Sequence, residues 1–462
     1  MLLVSLAAWP GPGAASVVPR SKSHPSFQQL RFDEDYSYLR DPALRADAFD
    51  TIKFIPLNAR GSAFLSTGGE IRERFEYVEH NNWGRGPADQ NGYLLHRYVV
   101  HADWHEGDQF RFFAAFKSGL EEGRSGGPRP TDRDRFDLHQ AFADLRALDM
   151  VDRSLTLRLG RQELAYGSSR LISVREGPNV RLSFDGAKGM WKSDSWQVDA
   201  FAVKPARTQP GVFDDDPDPH QSLWGIYSVA AVPPFRGAKV DLYYLGLERG
   251  QARFDQGAAR ETRHSFGGRI WGRDRSWDYN FEAVYQYGTF GHEEIHAWTV
   301  ASDTGYTLLD APFSPRFGLK ANITSGDQNP EDAGLQTFNP LFPRGAYFGE
   351  PALIGPANHI DVHPSVDLNL SRRLRLNLNW DLFWRESVRD GIYGPALNLI
   401  RSGRDSNERL VGHQFEALLE WRLNRHLLVT ADYAHFFTGP FLEETTPGED
   451  VDYFSTWLTF RF

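Results

Sequence analysis

The residues that first suggest chemistry are His292-Glu293-Glu294-Ile295-His296, which carry the spacing H-E-x-x-H. Zinc peptidases need that run on a helix, where positions i and i+4 share one face. Here it follows Gly291 and leads into Ala297-Trp298-Thr299-Val300-Ala301-Ser302, which reads as a strand. In extended chain the two imidazoles stand ~13 Å apart, too far for one metal with bonds near ~2 Å. A zinc site is therefore not expected. Acidic runs at 214–218 and 327–332 gather hard oxygen ligands of the kind Ca²⁺ takes, although a solvated loop is the simpler reading of both. No G-x-S-x-G elbow, no phosphate-cradling glycine loop and no carboxylate pair at a recognisable spacing is present, so an enzyme is not expected. The chain has no cysteine, which excludes disulfides and thiolate metal sites.

The elements that would position any site are strands. From residue 65 onward, apolar and polar residues alternate with a period of two, which puts them on opposite faces. Ser66, Gly68, Glu70, Arg72, Arg74 and Glu76 alternate with Leu65, Thr67, Ile71, Phe75 and Tyr77. Leu94, Tyr98, Val100 and Trp104 oppose Arg97, His101 and Asp103; Phe110, Phe112, Ala114 and Phe116 oppose Arg111 and Lys117. The same grammar recurs at 155–162, 277–288 and 316–324. It is clearest at 374–385, where Leu374, Leu376, Leu378, Trp380, Leu382 and Trp384 face away from Arg375, Asn377, Asn379, Asp381 and Arg385. Tryptophans at the ends of apolar faces (Trp104, Trp277, Trp384) suit the girdles of a lipid interface.

Composition fits a transmembrane β-barrel. The 462 residues are 40% hydrophobic with 14% aromatics, and mean hydropathy is −0.50. No run of ~20 apolar residues follows the N-terminus, which excludes spanning helices, whereas a barrel escapes hydropathy because only alternate residues meet lipid. A net charge of −10 argues against nucleic acid as a partner. At ~22 residues per strand and connection the chain supports roughly 16–18 antiparallel strands around a lumen. Long connections are expected near 121–135, 205–221, 325–350 and 386–408, as extracellular loops folding over or into the pore. The apolar run at 2–9 followed by Ala14-Ala15-Ser16 reads as a signal peptide over 1–16, without the usual basic start. Residues 17–60, polar and proline-punctuated, read as a periplasmic leader or plug, and 61–462 as the barrel.

Several motifs resemble the alginate-export family of outer-membrane barrels: Y-L-L-H-R-Y (93–98), K-S-G-L-E-E-G-R (117–124), G-R-Q-E-L-A-Y-G (160–167), R-L-I-S-V-R-E-G-P-N-V-R-L-S-F-D-G-A (170–187) and F-N-P-L-F-P-R-G (338–345). The leader D-E-D-Y-S-Y-L-R-D-P (33–42) is similar to a branch of that family found outside alginate pathways. The resemblance implies an 18-stranded monomeric barrel in the bacterial outer membrane, with an arginine-rich constriction for an anionic polyuronate. It also implies that the last strand, 451–462, ending on Phe462, is the signal read by the barrel-insertion machinery and the seam partner of the first.

A pore for carboxylate-bearing chains needs lumen cations, with arginine the better fork for both oxygens. The inward candidates are Arg72, Arg74, Arg97, Arg111, Lys117, Arg158, Arg181, Arg269, Lys320, Arg375 and Arg385, with Glu70, Glu76, Asp278, Glu282, Asp381, Glu416 and Glu420 available to hold them. No cofactor is expected. Alternatives are a diffusion porin for small anions or nutrients, a membrane-bound polysaccharide hydrolase, and a secreted β-rich lectin. In the last strand, 454–462 should present its outward row to lipid, Arg461 should sit at the periplasmic rim, and the inward Trp457 should pack on the leader or a periplasmic turn.

Overall fold

The computed structural model describes residues 24–89, 91–233 and 237–462; the signal-peptide expectation lies outside them. Alternation resolves into 18 antiparallel staves that close on themselves. We number them β1 (Ala63–Glu79), β2 (Tyr93–Glu106), β3 (Phe110–Glu122), β4 (Asp134–Asp149), β5 (Arg153–Gln162), β6 (Phe184–Ser193), β7 (Trp196–Arg207), β8 (Gln221–Ala231) and β9 (Lys239–Phe254). The second half comprises β10 (Gly257–Asp274), β11 (Trp277–Phe290), β12 (Glu293–Thr307), β13 (Arg316–Thr324), β14 (His359–Asn369), β15 (Leu374–Trp384), β16 (Leu410–Arg422), β17 (Leu427–Thr438) and β18 (Val451–Arg461). The seam is β1 with β18, in register from Glu70↔Arg461 to Glu79↔Asp452. Closure leaves no edge strand, which is what a sheet in lipid requires.

The outward row is exposed and apolar: Phe266, Ile270, Phe281, Tyr285 and Val300 stand clear on β10–β12, and Trp277 marks a strand end. The inward row is charged yet buried, because loops fill the barrel. Short turns close one end, and the segments 80–92, 123–133, 163–183, 208–220, 325–358, 385–409 and 439–450 all emerge at the other. By the usual barrel asymmetry the short-turn end is periplasmic.

Two of those loops turn inward and pair with each other. Ile172 and Phe342 form a parallel bridge, Ser173 N–H donates to the Phe342 carbonyl at 3.0 Å and Phe342 N–H to that of Leu171 at 2.8 Å. Their apolar residues (Leu171, Ile172, Leu341, Phe342) pack with Phe184, Phe201, Leu223 and Tyr243 on the β6–β11 wall. A ladder of Tyr166, Tyr227 and Tyr243, with ring centroids 4.8 and 5.0 Å apart, fastens the base of the first loop to that wall. Gly267 makes room for it, since a Cβ there would lie 2.1 Å from the Tyr243 ring. The β6–β11 side of the lumen is thus packed by an apolar core, and a second apolar cluster (Val78, Trp83, Phe348, Phe383, Phe436 and Tyr453) lies against β1 and β15–β18.

The leader docks at the short-turn end. Arg31 donates to the carbonyls of Gly69 and Phe462, both at 3.0 Å, and Phe49 lies 5.9 Å from the Phe460 ring. Lys53 is 2% exposed, its Nζ lacks a hydrogen-bond partner, and it rests 4.7 Å from the Tyr36 ring. Burial, then Arg31, pushes this amine down to about 7, against the opposing pull of Glu34 and Asp47 and with Arg425 adding to the depression. The docked leader therefore binds fewer protons than the free one between about pH 7 and 10.5, and docking tightens as pH rises through that window. At neutral pH the penalty is on the order of 4 kcal/mol. Lys53→Met should remove it: hydrogen-exchange protection over 27–56, taken relative to the intrinsic exchange rate, is expected to rise at neutral pH and lose its pH dependence. Wild-type protection that does not change with pH would contradict this reading.

In the last strand, Arg461 pairs with Glu70 at 2.7 Å at the rim, as expected. Trp457 lies under the Arg74 guanidinium, 4.5 Å from ring centre to Cζ, a cation–π contact that keeps an indole on a polar wall and that the alternation alone did not show.

Candidate functional site

Four of the anticipated lumen cations grip the tip of the first infolded loop. Arg97, 2% exposed, donates to Glu176 at 2.7 Å, Glu70 at 3.2 Å and the Asn179 carbonyl at 2.9 Å, and also to the Pro178 carbonyl. Arg72 donates to the carbonyls of Glu176 (3.0 Å) and Pro178 (3.1 Å). Arg74 donates to the Gly177 carbonyl at 3.2 Å while pairing with Glu76 at 2.7 Å and Glu350 at 3.1 Å. Arg181, on the loop itself, pairs with Glu163 at 2.8 Å and Glu176 at 3.2 Å. Burial opposes ionisation of Glu176, but Arg181 and Arg97 outweigh it and hold its carboxyl below the ordinary range. These forks are occupied in holding a loop.

The next group is neutralised by strand carboxylates. Arg111 binds both oxygens of Asp103 at 2.7 Å, and Arg158 both oxygens of Asp144 at 2.7 Å. Lys117 bridges Asp134 (2.8 Å) and Asp215 (2.7 Å), Arg269 meets Asp241 at 2.6 Å and Arg375 meets Asp367 at 2.6 Å. Arg385 lies just beyond β15, where it donates to the carbonyls of Val388 (2.8 Å) and Ser406 (2.9 Å) and staples the 385–409 loop; burial pushes it down to about 10. Of the acids, Glu70, Glu76 and Asp278 hold arginines directly, and Glu282 meets Arg170 at 3.2 Å.

Among the lysines and arginines that line two internal cavities, three have no carboxylate within 4.0 Å: Lys320 on β13, Arg344 on the second infolded loop and Arg175 on the first. The upper, about 420 Å³, lies towards the long-loop end and is lined by Arg74, Arg124, Arg129 and Arg175 together with Trp83 and Tyr93. The lower, about 170 Å³, is lined by Arg170, Arg316, Lys320 and Arg344 with Trp271 and Tyr347. The strap 343–348 separates them, Pro343, Gly345 and Ala346 facing up and Arg344, Tyr347 and Phe348 facing down. Burial, then Arg249, pushes the Arg175 guanidinium down to about 10, as expected for a desolvated cation with no counter-charge. Cations beside aromatic faces are the surfaces on which an anionic sugar or acid could be held weakly and passed on.

The alginate export family model matches residues 63–454, the whole barrel from the first stave into the last. The chain belongs to the alginate export family. No curated protein matches it. Among solved structures it is similar to a BenF-like porin from Pseudomonas fluorescens Pf-5, with a TM-score of 0.58, 8% identity, 86% of this chain and 98% of that one covered. Pseudomonas aeruginosa OccD3 (OpdP) gives 0.57, 12%, 86% and 91%, and OccK11 (OpdR) from the same organism 0.54, 13%, 87% and 96%. At such identities the likeness is one of fold: an outer-membrane porin barrel.

Sequence reasoning missed Arg170, Arg175 and Arg344. All three sit in the motifs at 170–187 and 338–345, where glycine, proline and asparagine interrupt the strand period and no face can be read. The run His292–His296 is extended, as anticipated: it spans a turn and the start of β12, with His296 exposed beside the Tyr285 hydroxyl at 2.9 Å. The acidic runs are less solvated than expected. Asp215 is buried against Lys117, and Asp137 accepts the backbone N–H groups of Asp214 (2.8 Å) and Asp215 (3.1 Å). Burial, then Asp390, pushes the Asp327 carboxyl up to about 7.

Proposed function

We propose that this barrel is an outer-membrane channel that passes an anionic saccharide, an alginate-like polyuronate or its oligomers, without covalent chemistry. The observation that carries the reading is the set of unpaired cations, Arg175, Lys320 and Arg344, placed in two cavities beside aromatic rings. A carboxylate entering either cavity gains a cation that no protein acid satisfies, and separate sites allow it to leave again. The family membership agrees with this substrate class. In this reading the protein works as a monomer in outer-membrane lipid, inserted by way of its last strand.

The small volume of the lower cavity and the strap across the lumen favour a second reading for the same site, a porin for small organic anions. Reversal potentials in a salt gradient across planar bilayers test what both share. Anion selectivity is expected, and cation selectivity would overturn both.

A further inference from the structure

The two infolded loops meet inside the lumen as one firmly held jaw and one lightly held one. The tip of the first, 176–178, is bolted to the β1–β2 wall. Arg72 donates to the carbonyls of Glu176, Gly177 and Pro178, and Arg74 donates to that of Gly177. Just beyond, the Asn179 amide donates to the carbonyls of His96 (3.1 Å), Leu120 (3.1 Å) and Asp132 (2.8 Å). The strap facing this tip is anchored at its two ends. At one, Phe342 bridges Ile172; at the other, Gln414 donates to the Phe348 carbonyl at 3.2 Å and the Glu350 N–H to Glu416 at 2.7 Å. Between the anchors, residues 343–347 are tied to their surroundings by two hydrogen bonds among the described residues. Arg344 N–H donates to the Ser169 carbonyl at 3.1 Å, and Arg170 donates to the Tyr347 hydroxyl at 2.7 Å. Gly349, at φ +137°, stands where the strap leaves its second anchor, in a conformation that glycine takes without strain. A segment with so few ties is the part of a fold that opens first.

The jaws touch without interlocking. A Cβ on Gly177 would lie 3.8 Å from that of Ala346, and a Cβ on Gly345 would lie 2.8 Å from Pro178 Cδ. Gly177, Pro178, Gly345 and Ala346 line the upper cavity, while Arg344 and Tyr347 line the lower, so the contact stands on the way from one to the other. We infer that the strap 343–349 is the gate of the channel: it closes on Gly177 and Pro178 and swings off that fixed tip to join the two cavities. This rests on the channel reading above. Opening breaks the bonds at Arg344 and Tyr347 and leaves both anchors in place.

The chain has no cysteine, so a lock can be built without competing thiols. In Gly177→Cys with Ala346→Cys, the two Cβ atoms stand at a separation that a disulfide spans. The test uses the full chain in planar bilayers. Oxidation, checked by the loss of free thiol, should abolish the current of the double variant. A reductant should restore it, and neither single-cysteine variant should respond. Gly345→Ala, whose methyl meets Pro178, should lengthen the openings. Current that persists through the locked variant would overturn the gate, and so would a cysteine pair that an oxidant leaves unjoined, since the jaws would then not meet. Should the double variant not insert, Gly345→Ala decides alone, and openings of wild-type length would overturn the proposal. A current that the lock abolishes but that is cation-selective after reduction keeps the gate and removes the anionic-solute reading.

Discussion

Replacing Lys320 and Arg344 together by Glu is expected to turn an anion-selective channel into a cation-selective one. Neither cation has a carboxylate within 4.0 Å, so although Asp278, Asp303 and Asp361 also line the lower cavity, these two charges are not cancelled by a direct ion pair. A unit charge about 4 Å from a passing ion is worth about 1 kcal/mol even at the dielectric of bulk water. The double substitution shifts the local charge from plus two to minus two, so the permeability ratio should change by at least about tenfold. The same exchange at Arg111 or Arg158 would act differently, because Asp103 and Asp144 would be left beside a new acid, and misfolding rather than inverted selectivity is the expected result. Reversal potentials in a salt gradient read the outcome directly, and an unchanged sign for the Lys320/Arg344 variant would remove these residues from the path.

Arg97→Ala is expected to loosen the first infolded loop. It strips Glu176 and the carbonyls of Pro178 and Asn179 of their shared donor and leaves Glu70 with Arg461 alone among its close pairs. Breaking one partner of a buried pair typically costs about 3–5 kcal/mol, and the remaining Arg181–Glu176 bond places this case at the lower end. Melting temperature should fall while conductance rises and becomes noisy as the tip at 176–178 leaves the wall. Arg97→Lys should not rescue it, since a point ammonium cannot reach acceptors in several directions at once. A quiet, wild-type conductance for Arg97→Ala would show that the loop is held by other contacts.

The barrel could be read from the chain because lipid enforces a period of two. Every apolar row named from 65 to 462 faces outward where expected, and the Glu70–Arg461 seam follows from pairing the first strand with the last. Facing is all that a period reveals. It placed Arg97 and Arg74 in the lumen but could not show that Glu176 and Glu350 arrive opposite them, because those acids come from loops. The infolded segments carry no period of their own, and their apolar residues, Ile172 and Phe342 among them, belong to a core inside the barrel that hydropathy cannot distinguish from a lipid face. The partner of Trp457 was hidden for a related reason: it is a cation on the neighbouring strand, and the pairing register decides that contact.

The central claim is that unpaired cations in the lumen select a chain of carboxylates. Single-channel recording of the wild-type protein with a soluble polyuronate, against a neutral glucan of the same length, tests it most directly. Concentration-dependent interruptions of the current by the polyuronate, and none by the glucan, are the predicted result; equal interruption by both polymers, or by neither, would contradict it.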